Sequence, residues 1–484
     1  MPTLLALLLW AQEEPNDIEQ AVRRFAQAYA LVERHNADPV NPSNAFYEAA
    51  LPGMLRALDP HSAFLTQTQM EQLRDMERST SKGFGTVVSV LPGRVIVLQV
   101  LPGAPSSRAG IAPGDEIVGI NNIRLDGLTM EQLIGVLGET RQRQALLHVR
   151  RPGNAVLMRF TLTPEEMASP SVDRAFLIRP GIGFVRATSF EGQTGKQMKE
   201  AIEKLGGRDL KGLVLDLRNN GGGVVQAAIE TAALFLAPGK KILTVRGRAR
   251  PMEEVTAPGK SEPYTFPMAV LINERTASAA EIVAGALQDH DRATIVGTPS
   301  YGKGLVQSVF PVSEGNGIAL TTAFYFTPSG RSIQRPLKEG QLDSNARYAN
   351  LETATEFRTA GGRPVKGGGG IEPDEVAHPD GLTALQSVID ASGLLTTFAT
   401  EYLARKPSID RNFRVSDELL SELQGFLAER RIQPGLLEWS RAQAWIRSRL
   451  QQEIFNQALG VEAGDEVEFG RDGVVRAALR VLSP

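Results

Sequence analysis

Ser278, Lys303 and Gln307 are the residues whose types and spacing suit one another for covalent chemistry. A serine hydroxyl is a poor nucleophile at neutral pH and needs a base within hydrogen-bond reach. A lysine amine is that base only when neutral. Burial among apolar neighbours such as Tyr301, Leu305 and Val306 would lower its pKa by disfavouring the charged form. Gln307 lies four residues beyond Lys303, which on an extended strand puts both side chains on one face. Its amide oxygen would then hold the amine without adding the negative charge that keeps it protonated. Helix N-terminal amides after Ser278 would favour a developing oxyanion.

The flanking pattern supplies elements to position these groups. An apolar run, Met268–Ile272, reads as a buried strand, and a short turn over 273–277 leads to a small-residue helix over roughly 279–289. A second apolar run, Ala293–Val296, delivers the Gly-rich turn that carries Lys303. The same residues admit simpler readings. Ser278-x-x-Glu281 is a capping box, and such serines ordinarily do no more than cap a helix. A lysine between two glycines is ordinarily a solvated loop residue. His290, between Asp289 and Asp291, invites a Ser-His-Asp triad, but it would lie at the opposite end of one helix from Ser278. A charged, exposed helix end is the expectation there. Spacing alone leaves these readings open.

Resemblance shifts the balance. Thr276-Ala-Ser278-Ala-Ala-Glu281, followed by Gly297-Thr-Pro-Ser-Tyr-Gly-Lys303-Gly-Leu-Val-Gln307, closely resembles the active-site signature of the carboxyl-terminal processing peptidases, serine proteases of the tail-specific type. The resemblance implies Ser278 as nucleophile, Lys303 as general base and Gln307 as the residue orienting the lysine. Thr276 stands where that family often has serine.

Upstream, Gly212–Leu217 reads as a buried strand, followed by Arg218-Asn-Asn-Gly-Gly-Gly223 and a helix from about Val224 to Leu236. A Gly-rich turn between strand and helix can cradle phosphate. No lysine follows as in a Walker loop, however, and the spacing is wrong for Gly-x-Gly-x-x-Gly. Backbone amides presented to an oxyanion fit better. The segment also resembles the family's oxyanion loop, with Gly221 replacing a common proline. Donors are expected at Gly222 or Gly223 together with Ala279, and Asp216 and Arg218 as structural supports.

The remaining chain divides by pattern. Residues 1–15 carry an apolar run too short to span a bilayer and without a positive n-region, read as an atypical signal or anchor segment. Residues 16–81 are expected to be helical, with a kink at Pro52, a Thr68-x-x-Glu71 capping box and a structural His61. Residues 82–165 are β-rich, and Ala109-Gly-Ile-x-Pro-Gly-Asp-x-Ile within them resembles a PDZ domain. Such a groove binds a peptide C-terminus by strand addition. Gly83, Phe84 and Gly85 fit its carboxylate loop, with Phe84 as apolar wall; Arg150 and Arg151 either couple the peptide to the core or are solvated. Over 166–378 strands alternate with helices, as an α/β core should. There Gly317–Phe326 is expected to continue the sheet and Arg335–Lys366 to be an exposed insertion. Residues 379–484 read as helical, with packing or self-association as their role.

Composition bounds the rest. The 484 residues carry 52 Lys+Arg against 55 Asp+Glu, a net charge of −3, which gives no electrostatic case for nucleic acid. With 0 Cys, disulfides and thiolate chemistry are excluded, and the five histidines show no metal-ligand spacing. No metal and no cofactor are expected. The fold class implied is a crotonase/ClpP-like α/β protease core with an inserted PDZ domain and helical N- and C-terminal regions. The implied activity is cleavage near exposed apolar protein C-termini in the cell envelope, periplasmic or secreted. An activating adaptor and a homo-oligomer formed through the C-terminal region are further expectations. Two readings compete: a PDZ adaptor on an inactive protease core, and an acyl-CoA enzyme of the crotonase type, which leaves the PDZ unit unexplained.

Overall fold

The computed structural model describes residues 15–91, 93–249, 251–260, 262–336, 357–406 and 408–483. Residues 1–14 of the expected signal segment, and residues 337–356 of the expected insertion, lie outside the described residues. The described chain forms two compact units, one of residues 15–70 with 307–321, the other of the remainder.

The larger unit is built on a six-stranded sheet whose strands lie side by side in chain order: β1 (Val172–Arg179), β2 (Ile182–Ala187), β3 (Gly212–Asp216), β4 (Met268–Ile272), β5 (Thr294–Gly297) and β6 (Glu375–Val376). Only the β1–β2 pair is antiparallel. The crossovers place α1 (Thr194–Lys204), α2 (Val225–Ala233) and α3 (Ala279–Asp289) on the sheet. β3 and β4 are buried at every residue, as parallel strands covered on both faces must be. Alternate side chains serve opposite faces. Leu213, Leu215, Val270 and Ile272 pack with Met198, Ala228 and Val283 of the three helices. Val214, Ala269 and Leu271 face Phe469, Val475, Ala478 and Leu479 near the C-terminus. The last two helices, Val461–Arg471 and Gly473–Leu482, therefore form the second layer of the core.

Gly317–Phe326 does not continue this sheet. Its residues 317–319 pair with Ala63–Leu65 within the smaller unit, and its residues 323–326 pair with Lys241–Gly247 within the larger. The far end of α3 also departs from expectation. Asp289 is buried, and its carboxylate meets the equally buried Arg331 at 2.8 Å. His290 is half-buried, with Nε2 2.7 Å from the Lys241 carbonyl. This helix end is closed by internal ion pairing, not by solvent.

Residues 86–162 form the β-rich unit, with strands Thr86–Leu91, Arg94–Val100, Glu116–Ile120, Ala145–Arg150 and Met158–Leu162 in one sheet. Its core holds Val95, Val97, Ile117, Leu133 and Leu147. Thr86–Leu91 stands at the sheet edge, and the helix Met130–Thr140, capped by Thr129 and Gln132, packs beside it. A two-stranded ribbon, Thr80–Gly83 with Glu165–Ala168, connects it to the core. Arg151 is internal to this unit, bound to the buried Asp115 at 2.7 Å.

In the smaller unit the expected kink at Pro52 takes the form of a change of helix type. A π-helical turn over Ala45–Ala50 runs directly into an α-helix, Leu51–Leu58, and the change of helix type falls just before Pro52, which has no N–H to give to the preceding turn. The box before the helix Gln67–Arg78 is formed by Thr66 and Gln69, whose backbone N–H groups each meet the other's side-chain oxygen. Thr68 and Glu71 do not form it, because the cap lies two residues earlier than expected.

Candidate active site

Strand β4 ends in a turn that its own side chains lock. The Asn273 N–H donates to Thr276 Oγ1 at 3.0 Å, and the Thr276 hydroxyl donates to the Leu217 carbonyl at 2.8 Å. Thr276 thus supplies the hydroxyl that locks the turn. The turn delivers Ser278 with φ 55 and ψ −116. Ordinary caps in this chain have extended backbones: Thr129 (φ −68, ψ 165), Thr383 (φ −69, ψ 165) and Ser416 (φ −82, ψ 171). A non-glycine residue held at positive φ costs on the order of 1–3 kcal/mol, and such strain gathers at functional turns. A sharp strand-to-helix turn of this kind presents a serine hydroxyl at the top of a sheet.

Two buried side chains tie this turn to the loop carrying Lys303. The Glu281 Oε2 atom accepts the Ser278 N–H at 2.8 Å and the Lys303 N–H at 2.9 Å, so one oxygen atom lies between the two backbones. Oε1 accepts the Ser300 hydroxyl at 2.5 Å and the Gly302 N–H at 2.7 Å. Burial pushes the Glu281 pKa above its ordinary range, and these donors oppose that shift by stabilising the carboxylate. The Tyr325 hydroxyl lies 3.1 Å from the Ser278 carbonyl and 2.9 Å from the Lys303 carbonyl. Burial, and then the negative charge of Glu281, raise its pKa well above the ordinary value, so it remains a donor.

The Gly-rich loop after β3 closes against the same turn. Asn220, fully buried, donates through Nδ2 to the Ala187 carbonyl at 2.8 Å, and its own carbonyl accepts the Ala277 N–H at 2.9 Å. Its Oδ1 accepts the Gly222 N–H at 2.9 Å. That amide is therefore engaged. The N–H groups of Gly223 and Ala279 meet no acceptor among the described residues. Gly222 lies at φ +95, and a Cβ there would sit 2.9 Å from both the Ala279 nitrogen and the Ser278 Cβ. Only glycine leaves room in front of that amide. Ahead of the loop, Arg218 grips Asp216 through Nε and Nη2, and its Nη1 reaches Asp472 at 2.7 Å.

The sequence-predicted residues divide accordingly. Ser278, Ala279, Gly222, Gly223 and the Lys303 backbone come together in the larger unit. Gln307 lies on the strand Leu305–Pro311 in the smaller unit, where its Nε2 donates to the His61 carbonyl at 2.7 Å. Phe84 is packed into the core of the β-rich unit. The carbonyls of Phe84 and Gly85 accept the N–H groups of Ser106 (3.0 Å) and Leu101 (2.8 Å), and Gly83 pairs with Glu165 in the connecting ribbon.

Residues 181–340 match the model of peptidase family S41, and residues 96–151 match that of a PDZ domain. The chain is 34% identical over 313 residues to a carboxyl-terminal-processing protease of Synechocystis sp., covering 63% of this chain and 73% of that one. It is 33% identical over 337 residues to a carboxy-terminal-processing protease of Bartonella bacilliformis, covering 68% and 76%. This chain is a member of peptidase family S41. A solved photosystem II D1 C-terminal processing protease shares 29% identity over 64% of this chain and 83% of its own, with a TM-score of 0.38.

As an S41 peptidase the protein is a serine peptidase carrying a PDZ domain. Three residues of this S41 site were not singled out for their contacts by sequence reasoning. Tyr325 is 47 residues from the serine it touches. Ala323-Phe-Tyr-Phe326 is apolar or aromatic throughout, so no alternation in the sequence marks Tyr325 as the inward residue that the structure shows. Asn220 lay hidden in a polar turn, and Asp472 in a helical region with no chemical motif.

Proposed function

We propose that this serine peptidase cuts protein chains near their C-termini, with Ser278 as nucleophile and Lys303 as its base. The observation that carries this reading is the single Glu281 oxygen holding the Ser278 and Lys303 backbones together. The Ser278 hydroxyl passes its proton to the neutral Lys303 amine as its oxygen bonds to the scissile carbonyl. The N–H groups of Gly223 and Ala279 receive the oxyanion, with Gly222 shaping the space before them. Collapse breaks the C–N bond, and the protonated lysine returns its proton to the leaving amine. Water then hydrolyses the acyl-enzyme by the same exchange.

The PDZ domain brings the substrate tail. Thr86–Leu91 is a sheet edge with a helix beside it, the arrangement in which an extended peptide adds as a further strand. Among the described residues no acceptor takes the Phe84 and Gly85 N–H groups, which suits a terminal carboxylate.

The test is cleavage of an unfolded protein with an apolar C-terminus by wild type, Ser278→Ala and Lys303→Ala. The proposal expects wild type to cut and both variants to bind the tail without cutting. Binding by wild type without cleavage would favour the adaptor reading.

A further inference from the structure

We infer that Asp472, in the C-terminal helical region, is a positioning residue for the oxyanion loop; this rests on the oxyanion reading above. Its two carboxylate oxygens face different partners. Oδ1 caps the last helix, accepting the N–H groups of Val474 at 2.8 Å and Val475 at 3.2 Å. Oδ2 accepts from Arg218 Nη1 at 2.7 Å, with 17% of the Asp472 side chain and 13% of the Arg218 side chain exposed. At that degree of burial a charge-assisted hydrogen bond is little screened.

Arg218 sits at the point where β3 becomes the oxyanion loop. Asp216, the last residue of β3, accepts the Arg218 backbone N–H at 3.0 Å and the other edge of its guanidinium. The next residue, Asn219, takes a positive φ of 59, and its N–H donates to Asn273 in the nucleophile turn. Three residues further on, Gly222 lies so near Ser278 that a Cβ added to it would sit 2.9 Å from the serine Cβ. A guanidinium gripped from one side alone can swing about that grip, whereas one gripped from both sides fixes the backbone it is attached to. The helix that supplies the second grip is the layer covering the β3–β4 face of the sheet through Val475, Ala478 and Leu479. Docking of the C-terminal helix and alignment of the oxyanion loop are thereby joined through one carboxylate.

Asp472→Asn separates the two roles, because asparagine caps a helix as well as aspartate does but turns an amide N–H towards Arg218. We expect the full-length variant to remain folded at the assay temperature, with a thermal midpoint lowered by loss of the ion pair, and to keep its KM for the unfolded substrate. Its kcat should fall by roughly tenfold, the scale of a small misplacement at a reacting centre. Its affinity for a short apolar peptide boronic acid, whose tetrahedral adduct uses the same amides, should fall by the same factor. Asp472→Ser, which also caps, provides the same comparison if the asparagine variant folds poorly. Gly222→Ala is the reference. If it lowers boronate affinity while both Asp472 variants leave kcat and affinity unchanged, the positioning role is overturned and the oxyanion reading stands. If Gly222→Ala leaves boronate affinity unchanged, the oxyanion reading falls and the role of Asp472 with it. A loss of kcat that only tracks the folded fraction would also overturn the role.

Discussion

At the scale of single residues, the glutamate of the capping box is also the residue that holds the candidate site together. Ser278-x-x-Glu281 was legible in the sequence as a pair, but cap and chemistry stood there as alternatives. The pattern could not reveal that the Glu281 carboxylate also receives Gly302 and Lys303 from a loop more than twenty residues away. Glu281→Gln would turn an amide N–H against backbone donors that now meet a carboxylate. We expect kcat to drop about a hundredfold, as a displaced lysine loop would cause, in steady-state cleavage assays. The same substitution has a pH signature. Because burial raises the Glu281 pKa above 4.5, the folded state holds this proton more tightly than the unfolded chain. Its contribution to stability is present in full below the unfolded pKa and is lost as pH rises through the folded value. Thermal midpoints from acid to neutral pH should therefore show a destabilising slope in wild type that flattens in Glu281→Gln. At Gly222, alanine would place a methyl group before the Ala279 amide. Loss of one oxyanion donor costs about 100- to 1000-fold in kcat, and kinetics on folded Gly222→Ala should show a loss of that order.

At the scale of elements, strands that carry their own burial pattern were readable and partners were not. β3 and β4 announced themselves as apolar runs, and α3 followed at the expected place. Gly317–Phe326 was recognisable as a strand, yet its assignment to the central sheet was wrong. Strand pairing is fixed by contacts distant in sequence, here with Lys241–Gly247 and Ala63–Leu65, which no local pattern encodes. The PDZ loop shows a similar limit. Its glycines marked a turn, but the inward packing of Phe84 depends on residues such as Leu133 and Leu147 that arrive later in the chain. Phe84→Ala should destabilise the PDZ domain by about 3–5 kcal/mol through the cavity it leaves. Hydrogen exchange should show lost protection across Val95, Val97 and Ile117, with the central sheet unaffected. Unchanged protection there would mean that Phe84 is not part of that core.

At the scale of the whole molecule, the C-terminal helices complete the peptidase core. Without Phe469, Val475, Ala478 and Leu479, the face made by Phe184, Val214, Ala269 and Leu271 would meet water. Sequence reasoning placed packing or self-association in this region but could not say what it packs on, because an amphipathic helix does not name its partner. Ending the chain after Leu459 should expose that face and abolish cooperative unfolding, as followed by calorimetry. A cooperative transition in the truncated chain would contradict the layered core described here.

The central claim, a serine activated by a lysine on a shared scaffold, is tested most directly by trapping the covalent intermediate. Wild type, Lys303→Ala and Asp472→Asn would each be treated with a fluorophosphonate and digested, and the modified peptide mapped by mass spectrometry. The account predicts rapid labelling at Ser278 in wild type, slower labelling at the same residue in Asp472→Asn and none above background in Lys303→Ala. Labelling at another serine, or undiminished labelling of Ser278 without Lys303, would contradict it.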